Sequence, residues 1–357
     1  MVSREDLSHN IEYLKKQARG VPIWAVIKGN GYGIGALPLA ELLSEHGIDR
    51  FCVTEVREAA LLRENGFSDA KILMLRSLND EETIDRLLDL RVILTVGSTE
   101  AAKTVDRLAA QRADIAQVHL KIDTGMGRYG FLPEEIEPLA AVYRECKHLA
   151  VCGIYTHFNC AFGKASITRR EFAAFQSTVS QLQAAGLETG TVHCCNSAAF
   201  LRFPEMHCGG VRLGSAILGR MPFATKLCPV GYAESAVDEI RTLPAGHSTG
   251  YAAIWTAKRE TRLAIVPVGW YHGFRTRTQP NWTRTRDRLR DVLSALRALL
   301  RRERLYVTVN GHRCPVVGSI GMLHCAVDVT NVPCAPGDPV LLQINPLHVK
   351  GMKLRYQ

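Results

Sequence analysis

The chain of 357 residues has no apolar run approaching the ~18 residues that cross a membrane, and no secretory signal stands at its start. The expected setting is cytoplasmic. It also has no CxxC pair: eleven cysteines fall without regular spacing in a chain too large to need stapling, so reduced thiols are expected. His193, Cys194, Cys195, His207 and Cys208 crowd together, yet adjacent strand residues point to opposite faces and cannot jointly chelate, so no metal is expected. Internal repeats and low-complexity linkers are missing as well. Gly29, Gly31, Gly33 and Gly35 fit no register of GxGxxG, and no GK[ST] follows, which excludes the nucleotide loops built on those patterns.

What is present is an ordinary globular composition, 46% hydrophobic and 22% charged. Forty-four lysines and arginines against 35 aspartates and glutamates give a net charge of +9, with much of the excess between Arg275 and Arg304. So local a density argues against a nucleic-acid partner. Within it Leu289, Val292, Leu293, Leu296, Leu299 and Leu300 recur at helical spacing with arginines on the other face, which predicts a solvated helical insertion.

Along residues 1–225, amphipathic helical stretches alternate with the short apolar runs WAVI, FCVT, KILML, VILTV, VHLKI, CGIYT, TVHC and a last one at Gly210 to Leu213. Eight strands with intervening helices predict a (β/α)8 TIM-like barrel, an α/β fold. Residues 226–357 instead carry strand-like segments separated by Gly, Pro and Asn, and read as a mostly β domain. One lysine stands out: in AVIKGNGYGIG, Lys28 follows a β-branched strand and precedes a glycine-rich turn. Its amine would project from the C-terminal end of a barrel strand, where barrel enzymes keep their chemistry, and an amine there can form an imine with an aldehyde cofactor. Taken alone, it is ambiguous, since most lysines at strand ends are solvated rim residues.

Further motifs stand at or just past strand ends: KIDTGMGRYGF from Lys121, YTHF from Tyr155, HCCNSAAF from His193 and GGVRLGSAILG from Gly209. With STGYAAIWTAKRETRLAIVPVGW and VVGSIGM they follow in order over nearly the whole chain. In this set the chain resembles the alanine racemase family of fold-type III pyridoxal-phosphate enzymes. The resemblance implies pyridoxal 5′-phosphate as cofactor, a small amino acid as substrate, and a homodimer with shared active sites. It makes Lys28 the Schiff-base lysine and assigns Tyr32, Asn196, Ser197, Gly214 and Ser215 to the cofactor and its phosphate. Arg212 would face the pyridine nitrogen, His157 would pack near the ring, and Arg128 would reach the phenolic oxygen and the substrate carboxylate. Lys121 aligns with a lysine carbamylated in many members. Tyr251, from a partner subunit, would be the second proton-transfer group opposite Lys28, helped by positive charge through His157 and Arg212. Because a guanidinium only donates, the ring nitrogen beside Arg212 would stay unprotonated, a weaker electron sink that favours proton return over transamination.

The resemblance has gaps. Gly269 to Gly273 read GWYHG where the family has GYADG, so a phosphate-binding tyrosine is missing unless Tyr271 replaces it. Met322, Leu323 and His324 replace MDQ, and QINPLHVKG replaces a common NYE stretch, which puts Asn345 beside the position of a pocket tyrosine. Met322 and Asn345 are therefore candidate substrate contacts. These departures most resemble the racemase domains of VanT-type serine racemases from vancomycin-resistance clusters, and imply serine with alanine as second substrate, supplying D-amino acids for cell-wall precursors. Asn345 reads equally as the start of an Asn-Pro turn. The start of the chain lacks the strand that normally pairs in the second domain. Since VanT-type proteins carry a membrane domain before this point, the chain reads either as an excised cytoplasmic domain or as a soluble short form. The rival functions are a dedicated alanine racemase, a non-catalytic cofactor carrier and a fold-type III decarboxylase. A carrier would lack the second domain, and Arg212 argues against the decarboxylase.

Overall fold

Each short apolar run in the first 230 residues ends at a turn or capping residue, and each becomes a strand. The computed structural model describes residues 1–276, 285–301 and 304–357. Eight strands, β1 (Ile23–Val26), β2 (Arg50–Val53), β3 (Lys71–Ser77), β4 (Ile93–Val96), β5 (Ala116–Lys121), β6 (Leu149–Tyr155), β7 (Thr191–His193) and β8 (Val211–Leu213), fall on the eight predicted runs. They pair in parallel in the order β7-β6-β5-β4-β3-β2-β1-β8. A single bridge between His193 and Gly210 closes the circle, reinforced by Gly209 N–H to Val192 O and Arg212 N–H to Cys195 O, both at 2.9 Å. Inward-facing Trp24, Val26, Cys52, Leu73 and Ile93 fill the lower barrel.

The helices that cover the strands are set by their caps. Ser3 Oγ accepts from Asp6 N at 3.0 Å and starts the helix Arg4–Ala18, whose Leu7, Ile11, Leu14 and Ala18 are buried at helical spacing. Asp80 and Ser98 cap Glu81–Asp89 and Thr99–Gln111 in the same way, each cap contributing about 1 kcal/mol.

The second unit is one antiparallel sheet of β9 (Ala233–Ala236), β10 (Glu239–Leu243), β11 (Thr261–Val266), β12 (Tyr306–Val309), β13 (His312–Val317), β14 (Cys325–Asp328) and β15 (Pro339–Leu342), in the order β10-β11-β14-β13-β12-β15-β9. Val266, Phe274, Val307, Val309, Val327, Val340 and Leu342 form its core. Asn310 and Gly311 turn β12 into β13 with φ of 47° and 78°, the left-handed pair that two-residue hairpins need.

The division falls at Val230, not at residue 225, and the first two residues join the second unit. Residues 226–230 are held to the barrel by His9 against Lys226 O, by Val230 N to Leu218 O at 2.9 Å, by Arg220 to Val230 O, and by Asn10. Its amide donates to Ile217 O and Cys228 O and its Oδ1 accepts from Cys228 N at 2.7 Å, which ties the segment to the barrel. Val2 forms an isolated bridge with Tyr356, and the Met1 amine donates to Tyr232 O at 2.8 Å, which places the first two residues with the second unit. The arginine-rich segment contains a helix, Thr285–Arg301, on which Leu289, Val292, Leu293 and Leu296 are exposed. Residues 277–284 and 302–303 and the side chains of Leu299 and Leu300 lie outside the described residues. No helix among the described residues is long and apolar enough to cross a membrane.

Candidate active site

Lys28 leaves β1 into a turn wound the wrong way for L-residues. Gly29, Asn30, Gly31 and Tyr32 have φ of 64°, 53°, 63° and 55°, a conformation that costs Asn and Tyr roughly 1 kcal/mol each. Hydrogen bonds hold it: Gly31 N to Ile27 O at 2.7 Å, Gly33 N to Gly29 O at 3.0 Å, and Ala36 N to Asn30 Oδ1 at 3.0 Å. A buried carboxylate locks it from outside. Glu58 accepts from Gly29 N at 2.7 Å through one oxygen and from Thr54 N at 2.9 Å through the other.

The turn delivers the Tyr32 phenol against Gly214. A Cβ on residue 214 would lie 2.2 Å from the Tyr32 hydroxyl, so glycine alone fits. Ser197 Oγ accepts from Gly214 N at 3.1 Å and Ala216 N at 3.2 Å, while Asn196 Oδ1 caps the helix Ser197–Arg202 through Ala199 N. The Tyr32 and Ser197 hydroxyls thus converge, and because Ser197 Oγ already accepts from two backbone N–H groups its own proton is left to donate, as a phosphate dianion requires.

Arg212, on β8, is clamped from β6 and β7. It donates to Thr156 O, to Cys194 O at 3.3 Å and to His193 O at 3.1 Å, and its guanidinium lies 4.8 Å from the Tyr155 ring centre. Lys121 ends β5, buried, with Nζ donating to Ile122 O at 3.1 Å and standing 5.1 Å from the other aromatic contact, the same Tyr155 ring. The following loop is shaped by Asp123, whose carboxylate accepts from Gly125, Met126 and Arg128 N–H at 2.7 to 2.9 Å. That loop presents Arg128, exposed and stacked over Tyr129.

Lys28, Tyr32, Lys121, Arg128, His157, Asn196, Ser197, Arg212, Gly214 and Ser215 line one cavity of about 380 Å³. Five cations, Lys28, Arg76, Lys121, Arg128 and Arg212, face it and no carboxylate does. The field shifts the titrating groups. Burial and Arg128 lower the Lys28 pKa against the pull of Glu58, toward the neutral amine that attacks a carbonyl. Burial, Arg212 and Arg128 bring Lys121 down to about 7 despite Asp123. Burial pushes Tyr32 up to about 12, so it stays a hydroxyl donor. His157 is driven well below the usual imidazole range by burial and by Arg212. That direction favours a neutral His157 ring beside the Arg212 guanidinium.

In the second unit Tyr251 is 76% exposed on a short turn held by Tyr251 N to Ser319 Oγ at 2.6 Å. Trp270 and Met322 are exposed beside each other, through Trp270 N to Gly321 O at 3.1 Å and Tyr271 N to Met322 O at 3.0 Å. Asn345 Oδ1 accepts from Leu347 N at 3.2 Å, so this oxygen serves the Asn-Pro turn. Among the described residues no group of three or more His, Cys, Asp or Glu is arranged to hold a metal, and the Cys194 and Cys195 thiols both point at Met206 O.

Sequence reasoning missed Glu58, Thr54, Arg76 and Tyr155. Tyr155 was visible inside YTHF, two residues before His157. Glu58 had a weaker signal, the third position of a helix whose Glu55 and Glu58 form a capping box.

The residues present fit pyridoxal phosphate: a cradle that a Cβ at residue 214 would fill, an amine with a lowered pKa, and a guanidinium that only donates. Residues 2–222 match the family described as alanine racemase, N-terminal domain, and residues 230–350 its C-terminal domain. The alanine racemases of Symbiobacterium thermophilum and Desulforamulus reducens are both 33% identical over 341 residues, covering 93% of this chain and 84% and 85% of the relatives. The solved alanine racemase of Clostridium difficile superposes with a TM-score of 0.82 at 26% identity, over 96% of this chain and 85% of that one. That of E. faecalis gives 0.79 at 27%, over 97% and 90%. A closed eight-stranded barrel carrying Lys28, an antiparallel domain after it and matches across both make this chain a member of the alanine racemase family, whose cofactor is pyridoxal phosphate.

Proposed function

We propose that the chain interconverts the L- and D-forms of a small amino acid, alanine or serine, using pyridoxal 5′-phosphate. The convergence of ten barrel residues on one cationic cavity, with Lys28 at its mouth, carries this reading. The bound cofactor supplies an aldehyde for the amino group and a sink for charge developing at the α-carbon. Tyr32, Ser197 and the Gly214–Ser215 backbone hold its phosphate, with Asn196 shaping the loop. Arg212 donates to the ring nitrogen and keeps it unprotonated. His157, neutral, packs beside the ring. Lys28 holds and returns a proton on one face of the α-carbon. Tyr251 of the partner subunit does so on the other. Arg128 binds the substrate carboxylate, and Lys121, as a carbamate, balances and orients it.

A homodimer with shared sites is supported by the surface around Tyr251: Ile254, Trp270, Met322 and Leu323 are each about half exposed or more, too much apolar area for a face left in water. Alanine is supported by the names of the relatives. Serine is the second reading, favoured by the exposed Asn345 amide, whose Nδ2 can donate to a hydroxyl oxygen, and by the VanT-like departures at Trp270, Leu323 and Asn345. The product would feed D-alanine or D-serine to cell-wall precursors in the cytoplasm.

The test is exchange of the α-hydrogen of L-alanine and L-serine in deuterated water, read as kcat/KM for each. Lys28→Ala should abolish exchange of both, and mixing it with Tyr251→Phe should restore part of the activity through hybrid dimers. Cofactor binding without exchange of either amino acid would favour the carrier reading. A large preference for alanine would remove the serine argument.

A further inference from the structure

A file of polar side chains descends from the cavity into the barrel, and the racemase reading gives its lower end no task. Arg212 Nη1 lies 2.9 Å from His193 Nδ1, and His193 Nε2 lies 2.9 Å from His119 Nδ1. All three residues are buried, His193 completely. A guanidinium donates and cannot accept, so His193 Nδ1 must accept. The neutral ring then carries its proton on Nε2 and donates it to His119 Nδ1. By the same step His119 carries its own proton on Nε2. The arginine at the top thus sets the direction of every hydrogen bond below it.

The fold is bent to seat this residue. Pairing between β5 and β6 shifts between Val118 and His119, which sets Gly153 opposite His119. A Cβ on Gly153 would fall 2.5 Å from His119 Nε2. Trp24 fixes the rings from below, stacked on His193 at 6.0 Å and edge-on to His119 at 5.5 Å. Burial and the nearby Arg212 hold both imidazoles far below their usual pKa, His119 at about 3, so neither becomes a cation that would repel the arginine.

We propose that His119 is a positioning residue for racemisation: by accepting from His193 Nε2 it fixes the tautomer that offers Arg212 a bare nitrogen, and so sets the guanidinium toward the cofactor's ring nitrogen. The inference rests on the role given to Arg212 above. Without an acceptor at residue 119, His193 either buries an unpaired N–H or moves its proton to Nδ1, where two donors meet; both outcomes displace Arg212. A displaced guanidinium lets the ring nitrogen take a proton and become a stronger electron sink. Transamination would then compete: the amino group and the α C–H electron pair would pass to the cofactor, whose former aldehyde carbon would take a proton, while water hydrolysis would give the substrate carbon its oxygen, so that oxo acid and pyridoxamine phosphate form with no outside oxidant.

The first readout needs no variant. In ¹⁵N-histidine-labelled full-length protein, before and after loading with pyridoxal phosphate, His193 and His119 should both appear as neutral rings protonated on Nε2. A His193 protonated on Nδ1, or on both nitrogens, overturns the proposal. His119→Gln, which can accept through Oε1, should keep kcat and the cofactor Kd within about 3-fold, whereas His119→Leu should lose about 10-fold or more in kcat with little change in KM. The ratio of oxo acid formed to racemisation should rise in the Leu variant alone. Equal behaviour of the two variants, or an unchanged ratio in the Leu variant, overturns the proposal. If the Leu variant does not fold, the tautomers of the unsubstituted protein and the Gln variant decide. Unsubstituted protein with these tautomers but no racemase activity fails the racemase reading instead, which separates the two failures.

Discussion

Lys121 should take up carbon dioxide at neutral pH, and its burial sets how readily. The amine is 3% exposed, with Arg212 and Arg128 acting on it, and its pKa falls from 10.5 to about 7. At pH 8 such a group is ~90% neutral, whereas an ordinary lysine is ~0.3% neutral, a gain of roughly 300-fold in the form that reacts. The Nζ lone pair attacks the carbon of CO₂ and the nitrogen loses a proton, leaving an anion among four remaining cations of the cavity. The assay is ¹³C NMR with labelled CO₂ held at constant dissolved concentration while pH varies. One carbamate signal should already be present at pH 7 to 8 and vanish in Lys121→Met, and that variant should lose about 10-fold or more in kcat/KM as Arg128 loses its partner. Stability gives an independent check. Between pH 7 and 10.5 the unfolded chain binds more protons at this site than the folded one, so the penalty for burying Lys121 is full below about 7 and fades as pH rises. In CO₂-free buffer the melting temperature of the unsubstituted protein should climb over that window more steeply than that of Lys121→Met. A signal that persists in the variant, or one that appears only near pH 10 as for an ordinary lysine, would refute the reasoning.

Gly214→Ala should weaken the cofactor Kd by about 10-fold or more, because the new Cβ lands 2.2 Å from the Tyr32 hydroxyl; an absorbance titration reads this, and an unchanged Kd would remove Tyr32 from the cradle. Glu58→Ala removes the acceptor from Gly29 and Thr54 N–H and should destabilise the cofactor-free protein by about 2 kcal/mol in urea unfolding. The same variant should lower kcat more than it raises KM, since the turn that aims Lys28 is loosened.

The barrel was legible because each strand carries its own signal. WAVI, VILTV and VHLKI are short β-branched runs closed by glycine or a cap, and eight of them alternating with helices allow few arrangements other than a closed parallel barrel. The cavity residues were legible through motifs, since Lys28, Lys121 and His157 stand at or within two residues of strand ends. Other features depend on tertiary approach. Glu58 stands in VREAALLRE, where a glutamate at that position looks like any solvated helix residue, and its burial comes from the fold bringing Gly29 to it. The attachment of 226–230 to the barrel rests on contacts distant in sequence, among them Asn10, 218 positions from Cys228, and His9 against Lys226 O. Val2 forms a single bridge, too short for any periodicity to reveal. His119 was within reach: it lies two residues before Lys121 on the same strand, hence on the same inner face, and strand alternation alone places both inside the barrel.

Departures from ideal local geometry gather where the chemistry does. The left-handed run at Gly29 to Tyr32 aims Lys28 and the Tyr32 phenol, the register shift at Val118 admits His119, and Gly125, Gly127 and Gly130, all at positive φ, shape the loop that carries Arg128. Each departure has its own support: the Glu58 carboxylate for the first, the missing side chain of Gly153 for the second, the Asp123 carboxylate for the third. Two of these supports are acidic groups that lie outside the cavity lining. They hold the loops from outside, through backbone N–H groups, and the carbamate proposed at Lys121 would be the anion that balances Arg128 within the lining. A further carboxylate moved from the supporting position into the lining would pair with Arg128 or Arg212 and compete with the phosphate and the substrate carboxylate for the same cations, so Glu58 and Asp123 serve the site by shaping its loops and not by entering it.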